Sequence, residues 1–523
     1  MISNELLQLG IPWANVIGFV SDNASVMMGS KKGVISFIRR KQPDIIAIGC
    51  PCHLINLAAL KAADALPIRM DELLVDIFYY MDKSAKRVNR FKELQSLYEV
   101  KVHKILKHVC TRWLSLGPCI TRLLEQWEPL TAFFKTEASV HLPAKQKSKP
   151  STSSTTSVLS EGKKPKTPLP AQNESLHKCL FSSPMQLYKI PKVTVDGCSK
   201  GKVTCVVDTK STSAQKLTMK PQADNHDQNK CGRQTSSKMK PQPLSNKGLS
   251  IYERLINKET VAYALFLKSV IPLFEDRNVL LQGNSPQIHT LQDCLINLFK
   301  DLVCRFIKPA AIVGTNDITT LDFSDENIIM KNEDLDVGTE CSETLETLST
   351  GDQEKFFSAV KRYFNACTNM QKKFPLKDEV LTHARVANII SRLDVSFADI
   401  QFFLKKFSML LLIKDGESSS DAQDKLRAQF ASNQISPLTE TILSHDSVEG
   451  VWILMSKMKN SCGDFLDESY FMLGLLSLPH SNADCERIFS SVKRNRTQFR
   501  SSMKDGTLEA IMIEKTRCGK GVI

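Results

Sequence analysis

The positive charge of this chain is concentrated in one stretch, and that stretch limits what the rest can fold into. The 523 residues carry 69 Lys and Arg against 56 Asp and Glu, a net charge of +13. Between His141 and Ser250 stand 19 basic and 6 acidic residues, so this segment alone holds +13, and the remainder balances at 50 against 50. The same segment contains 10 of the 22 prolines and runs such as Lys145-Gln-Lys-Ser-Lys-Pro-Ser-Thr-Ser-Ser and Lys163-Lys-Pro-Lys-Thr-Pro. Such a composition buries too little apolar surface to offset the entropy of ordering. A disordered basic linker is expected over 139–250, acting as a solvated spacer, a tether to phosphates or a nuclear-import signal.

The flanking parts read as folded. Hydrophobic residues make up 42% of the chain, enough for real cores. No run of 18 apolar residues appears, and Met1 to Gly10 lacks the basic start and apolar stretch of a secretory signal, so a soluble intracellular protein with no membrane partner is expected. Fifteen scattered cysteines, an odd count, fit reduced thiols better than a disulfide framework.

Val16 to Val20 is a short apolar run that ends at Ser21-Asp22-Asn23, a strand delivering a polar turn. A helix is expected from about Ala24 to Arg40, a second strand at Ile45 to Ile48, and helical spacing over Leu54 to Ala65, Met70 to Tyr98 and Ile120 to Phe134. Beyond the linker, 251–312 and 353–413 have amphipathic helical spacing. Asp317 to Glu354, with 12 acidic residues and the single Lys331, is expected to be an exposed loop. The last part holds a Leu-rich helix at Phe465 to Leu478, a Leu-Pro-His turn and a helix from Asn482 to about Lys493.

Asp22 is the sharpest candidate for chemistry, since a carboxylate at the end of a buried strand is rigid yet open, as a phosphoryl-transfer metal site requires. The competing role is a helix cap by Asp22 or Asn23. Glu486 lies on a helix whose start is marked by Ser481 and Asp484, a capping pair, and it competes between a catalytic role and a surface ion pair with Arg487 or Lys493. Cys50, Cys52 and His53 suggest zinc, but no second pair stands at finger-like distance, so no metal is assigned. Arg112 and Trp113 could pair a phosphate and stack on an unpaired base, or form an Arg-Trp stack in an apolar groove. Phe471, Leu473, Leu475, Leu476, Leu478, Ile488, Phe489, Ile511 and Ile513 exceed what one short helix pair can cover, so part of that surface packs elsewhere, on the chain's own core or on a partner.

Together, Val-Ile-Gly-Phe-Val-Ser-Asp-Asn-Ala-Ser from Val16, Cys-Pro-Cys-His-Leu-Ile-Asn-Leu from Cys50, Thr111-Arg112-Trp113, and Ser-Asn-Ala-Asp-Cys-Glu-Arg-Ile-Phe-Ser from Ser481 resemble blocks of the hAT superfamily of DNA transposases and its host-domesticated descendants. The resemblance covers Val16 to about Phe134 and about Gly450 to Glu514. It implies an α/β plus α fold: an incomplete RNase H-like core interrupted by a large helical insertion and the disordered linker. The implied divisions are 1–138 for the first part of the RNase H-like domain, 139–250 for the linker, 251–449 for the helical insertion with an acidic loop at 315–354, and 450–523 for a C-terminal dimerisation region.

The resemblance further implies that Asp22 and Glu486 match two acids of the catalytic set, that His53, Arg112 and Trp113 lie near DNA, and that Leu475, Leu476, Ile488 and Phe489 serve dimerisation. The family's first acid would stand on an earlier strand, whereas 21 residues precede Asp22, and the family's BED-type zinc finger has no counterpart here. Two-ion catalysis needs carboxylates that bridge ions roughly 4 Å apart, so Asp22 and Glu486 are expected to be vestigial. The expected protein is a domesticated, inactive, transposase-derived nuclear protein, present in the cytoplasm as well or not. It would use no cofactor, Mg²⁺ entering only if a catalytic site is complete. Its expected partners are a second copy or related hAT-derived proteins, with weak nucleic-acid contact at most. The rivals are a truncated hAT transposase performing two-metal strand transfer and a DNA-binding transcriptional regulator.

Overall fold

The computed structural model describes residues 2–109, 115–139, 244–458, 467–496 and 503–518. The basic linker expected at 139–250 lies almost wholly outside them, as do Arg112 and Trp113.

The two expected strands form. β1 (Gly18–Ser21) pairs in parallel with β2 (Ile46–Gly49), with Gly18 opposite Ile46 and Ser21 opposite Gly49. Side chains alternate across a strand, and both faces are covered. Phe19 and Ala47 meet Ile35, Ile38 and Ile45 on one side, while Val20, Ile46 and Ile48 join the main core on the other. That main core is continuous from Ile17 to Leu478, and residues 1–142 with 241–523 form one compact unit. No helix among the described residues is long and apolar enough to cross a membrane.

Several expected helices are interrupted where side chains or glycines compete with the ladder. The stretch from Ala24 to Arg40 forms two short helices, Ser25–Met28 and Val34–Arg39, because the backbone turns extended at Gly29 (φ −64°, ψ 130°) and at Gly33 (φ −71°, ψ 158°). Met70 to Tyr98 splits into Met70–Asp82 and Ala85–Leu97. There Ser84 caps the second helix by accepting from Arg87 N–H at 3.4 Å, a local bond that favours a new start over continuation. Ile120 to Phe134 divides at Gln126 between Leu116–Glu125 and Trp127–Ser139. Gln126 is buried, accepting from Gln95 Nε2 at 2.7 Å and donating to Lys101 O at 3.1 Å.

The acidic stretch corrects the expectation of an exposed loop. It contains three 3-10 turns, the helix Thr339–Leu345 and the start of Thr350–Thr368. Between its acids, Ile318, Phe323, Leu335, Val337, Cys341 and Leu345 are buried in the main core. Phe323 lies edge-on to Phe299 at 5.8 Å between centroids, a favoured aromatic geometry. The acids stay at the surface because every few residues an apolar side chain turns inward.

The helix Pro51–Ala63, which follows β2, packs on the long helix Lys258–Leu281 and on Thr350–Thr368. Near the C-terminus, Asp467–Leu476 packs on Val448–Ser456 and Ser419–Ile435, and Ala483–Asn495 packs on Asp505–Cys518.

Candidate association module and the strand-end acids

The segment Leu478 to Arg487 is fastened to both halves of the chain. A Cβ at Gly18 would stand 2.6 Å from Pro479 Cδ and 2.9 Å from Leu478 Cδ2, so only glycine lets the turn lie on β1 this closely. His480 and Ser481 bind the end of the long helix. His480 Nε2–H donates to Leu281 O at 3.1 Å, and its Nδ1 accepts from Gln287 N–H at 3.3 Å, which uses one donor and one acceptor of the neutral ring. Burial holds its pKa below the usual value, against the pull of the Leu281 carbonyl. Ser481 Oγ donates to Leu281 O at 2.9 Å.

Ser481 therefore serves a tertiary contact, correcting the expected capping role. The signature helix is Ala483–Asn495, with Asn482 at its N-cap position and no side-chain cap bond. Asp484 pairs with Arg487. Arg487 also reaches Gln282 O at 2.6 Å and Asn284 Oδ1 at 2.9 Å, so the ion pair considered for Glu486 is made by Asp484 instead. Glu486 is exposed on this helix.

Asp22 follows β1 and is partly buried. It does not cap the next helix, whose N-cap position is Ala24 without a side-chain bond, and its Oδ1 is enclosed with no hydrogen-bond partner. The backbone around it is fixed by Cys50, whose N–H donates to Ser21 O at 2.8 Å. Asn482 N–H in turn donates to Cys50 Sγ at 3.4 Å. The end of β1, the start of Pro51–Ala63 and the start of the signature helix thus meet at one buried thiol. Hydrogen bonding with the Cys52 thiol pulls Cys50 down to about 7, against its burial and with help from the backbone N–H groups of Asn482, His53 and Cys52. The Cys52 thiol is pushed up, first by that same bond and then by burial. His53 is half-buried in the first turn of the helix.

Asp22 and Glu486 differ in their surroundings. Among the described residues no three His, Cys, Asp or Glu side chains gather as a ligand set. Asp22 offers one enclosed oxygen while Glu486 faces solvent, which does not fit carboxylates bridging two ions. No step through a metal follows from these residues.

The four apolar residues assigned to dimerisation separate into two pairs. Leu475 and Leu476 are buried in this chain's own core. Ile488 and Phe489 are 51% and 62% exposed. With Cys485 and Val492 they stand at i, i+3, i+4 and i+7, the spacing of one helix stripe, turned away from Ala483, which is buried. Phe489 and Ile488 were legible only as members of one apolar set. The receptor for this helix, Leu281 to Gln287, carried no sequence signal, because its partners are about 200 residues distant in the chain. Residues 443–516 match the family model of the hAT family C-terminal dimerisation region, and through that segment the chain is related to the hAT family.

Proposed function

We propose that this protein is a hAT-derived, nuclear association protein that works as a dimer through its C-terminal module and does not cut DNA. The observation that carries the reading is the stripe of Ile488 and Phe489, exposed on a helix whose opposite side is fastened at Arg487 and Ala483, within a segment matching a dimerisation region. A C2 contact uses the same patch on both copies, so four large apolar side chains would leave water together. Each fully buried side chain contributes roughly 1.5 to 3 kcal/mol, and half-exposed ones less, against the roughly 8 kcal/mol of a micromolar complex. The stripe is then a major part of the interface.

The inactive state is supported by the contrasting settings of Asp22 and Glu486, and the RNase H-like core by the resemblance of the strand-end blocks. Sedimentation equilibrium of the whole chain tests association, with a dimer expected at tens of micromolar; a monomer there would refute it. Incubation with Mg²⁺ or Mn²⁺ and a nicked or hairpin duplex should leave DNA intact. Cleavage abolished by Asp22→Ala would overturn the inactive reading in favour of the transposase.

A further inference from the structure

We propose that a second surface, formed by the turn around Ile390 to Leu393 and the end of the helix Ser419–Ile435, also contacts a second copy of this chain; this rests on the association reading above. Ile390, Leu393 and Ile435 are 68%, 72% and 85% exposed. Single exposed apolar residues are ordinary, but several on one junction mark an interaction site.

The junction is rigid. Arg392 Nε donates to Asn433 O at 3.2 Å, and its Nη2 donates to Ser436 O at 3.1 Å. Gln434 Nε2 answers by donating to Arg392 O at 2.8 Å and to Val395 O at 2.9 Å. Residues on both sides of Ile435 are thereby bonded to the turn that carries Ile390 and Leu393. A surface ordered in advance loses little freedom on binding.

Two observations commit the occupant to a second copy. The first is continuity with the matched dimerisation segment: Asn433 Nδ2 donates to Glu468 Oε1 at 3.2 Å, and Trp452 Nε1 donates to Ala387 O at 2.9 Å, both partners lying within 443–516. Within that segment Leu443 and Ile453 are exposed as well. The second is charge. Ala431 to Thr439 contains no charged residue, and Asn388 to Ser396 has one of each sign, Arg392 and Asp394. Such a surface neither repels its own copy nor offers the cations that phosphate contacts require.

The test is sedimentation equilibrium on the whole chain with Ile390→Asp, Leu393→Asp and Ile435→Asp combined, beside Ile488→Asp with Phe489→Asp and a gentler Ile390→Ser, Leu393→Ser, Ile435→Ser variant. The expected result is a rise in Kd of a hundredfold or more for the Asp triple variant with unchanged circular dichroism, and at least tenfold for the Ser variant. A Ser variant that dimerises as the wild type does, while the Ile488 and Phe489 variant is monomeric, would overturn this second surface and leave the association reading standing. A monomeric wild type would overturn both. If the Asp variant loses helix, the Ser variant decides.

Discussion

Asn482 and Cys50 are joined by a hydrogen bond of 3.4 Å from backbone N–H to the Cys50 sulfur, across 432 positions of sequence. That contact, with Leu478 and Pro479 seated on Gly18, closes the two ends of the chain on each other. The strand pair alone is too small to be stable, so the C-terminal turn completes the cover of its inner face. Gly18→Val should push the turn off β1. Overpacking of this kind costs roughly 1 to 3 kcal/mol, read as a lower midpoint in urea with an unchanged slope. A variant as stable as the wild type would show that the turn yields freely.

Leu476 and Phe489 should part company under the same substitution. Leu476 lies in the core and Phe489 in water, so Leu476→Asp buries an unpaired charge and should unfold the module, with loss of ellipticity. Phe489→Asp with Ile488→Asp should keep its ellipticity and sediment as a monomer. Helix loss in the second variant would mean that the exposed stripe stabilises the fold rather than an interface.

How far the sequence anticipated the molecule follows from what each feature depends on. The strand at Val16 to Val20 and its polar end were legible because an apolar run stopped by Ser-Asp-Asn is a local signal, as was the Leu-Pro-His turn. The helix break at Gln126 was not, since Gln126 gains its partners Gln95 and Lys101 only in the folded state. In the candidate site, Ile488 and Phe489 were legible only as members of one apolar set. Nothing local separated them from Leu475 and Leu476, because which face meets the core is settled by packing against Asp467–Leu476's neighbours. The role of Ser481 was misread for the same reason: its hydroxyl finds Leu281 O in three dimensions, and the capping pattern is only a local competitor.

Phe323 tests the folded state of the acidic stretch. In an exposed loop, truncating it would change stability by about half a kcal/mol at most. Buried against Phe299 and Phe306, Phe323→Ala should cost roughly 3 to 5 kcal/mol, measured as a shift in the urea midpoint. A shift at the lower value would return this stretch to the surface.

Glu468, on the helix Asp467–Leu476, makes the C-terminal part sensitive to pH. It is buried, and desolvation pushes its carboxyl up to about 7, against the hydrogen bond from Asn433 Nδ2; its Oε2 is enclosed without a partner. The folded state therefore holds a proton that the unfolded chain, with an ordinary glutamate, has released. The stabilisation is fully present below the ordinary glutamate value and is lost as pH rises through about 7, a change of about 3 kcal/mol by linkage. Glu468→Gln keeps the acceptor for Asn433 and removes the titration. The difference in unfolding free energy between variant and wild type should be small near pH 5 and should favour the variant increasingly toward pH 8. Parallel stability curves for the two proteins across that range would show that the carboxyl ionises as readily in the folded chain as in the unfolded one, and that the Asn433 bond alone sets its state.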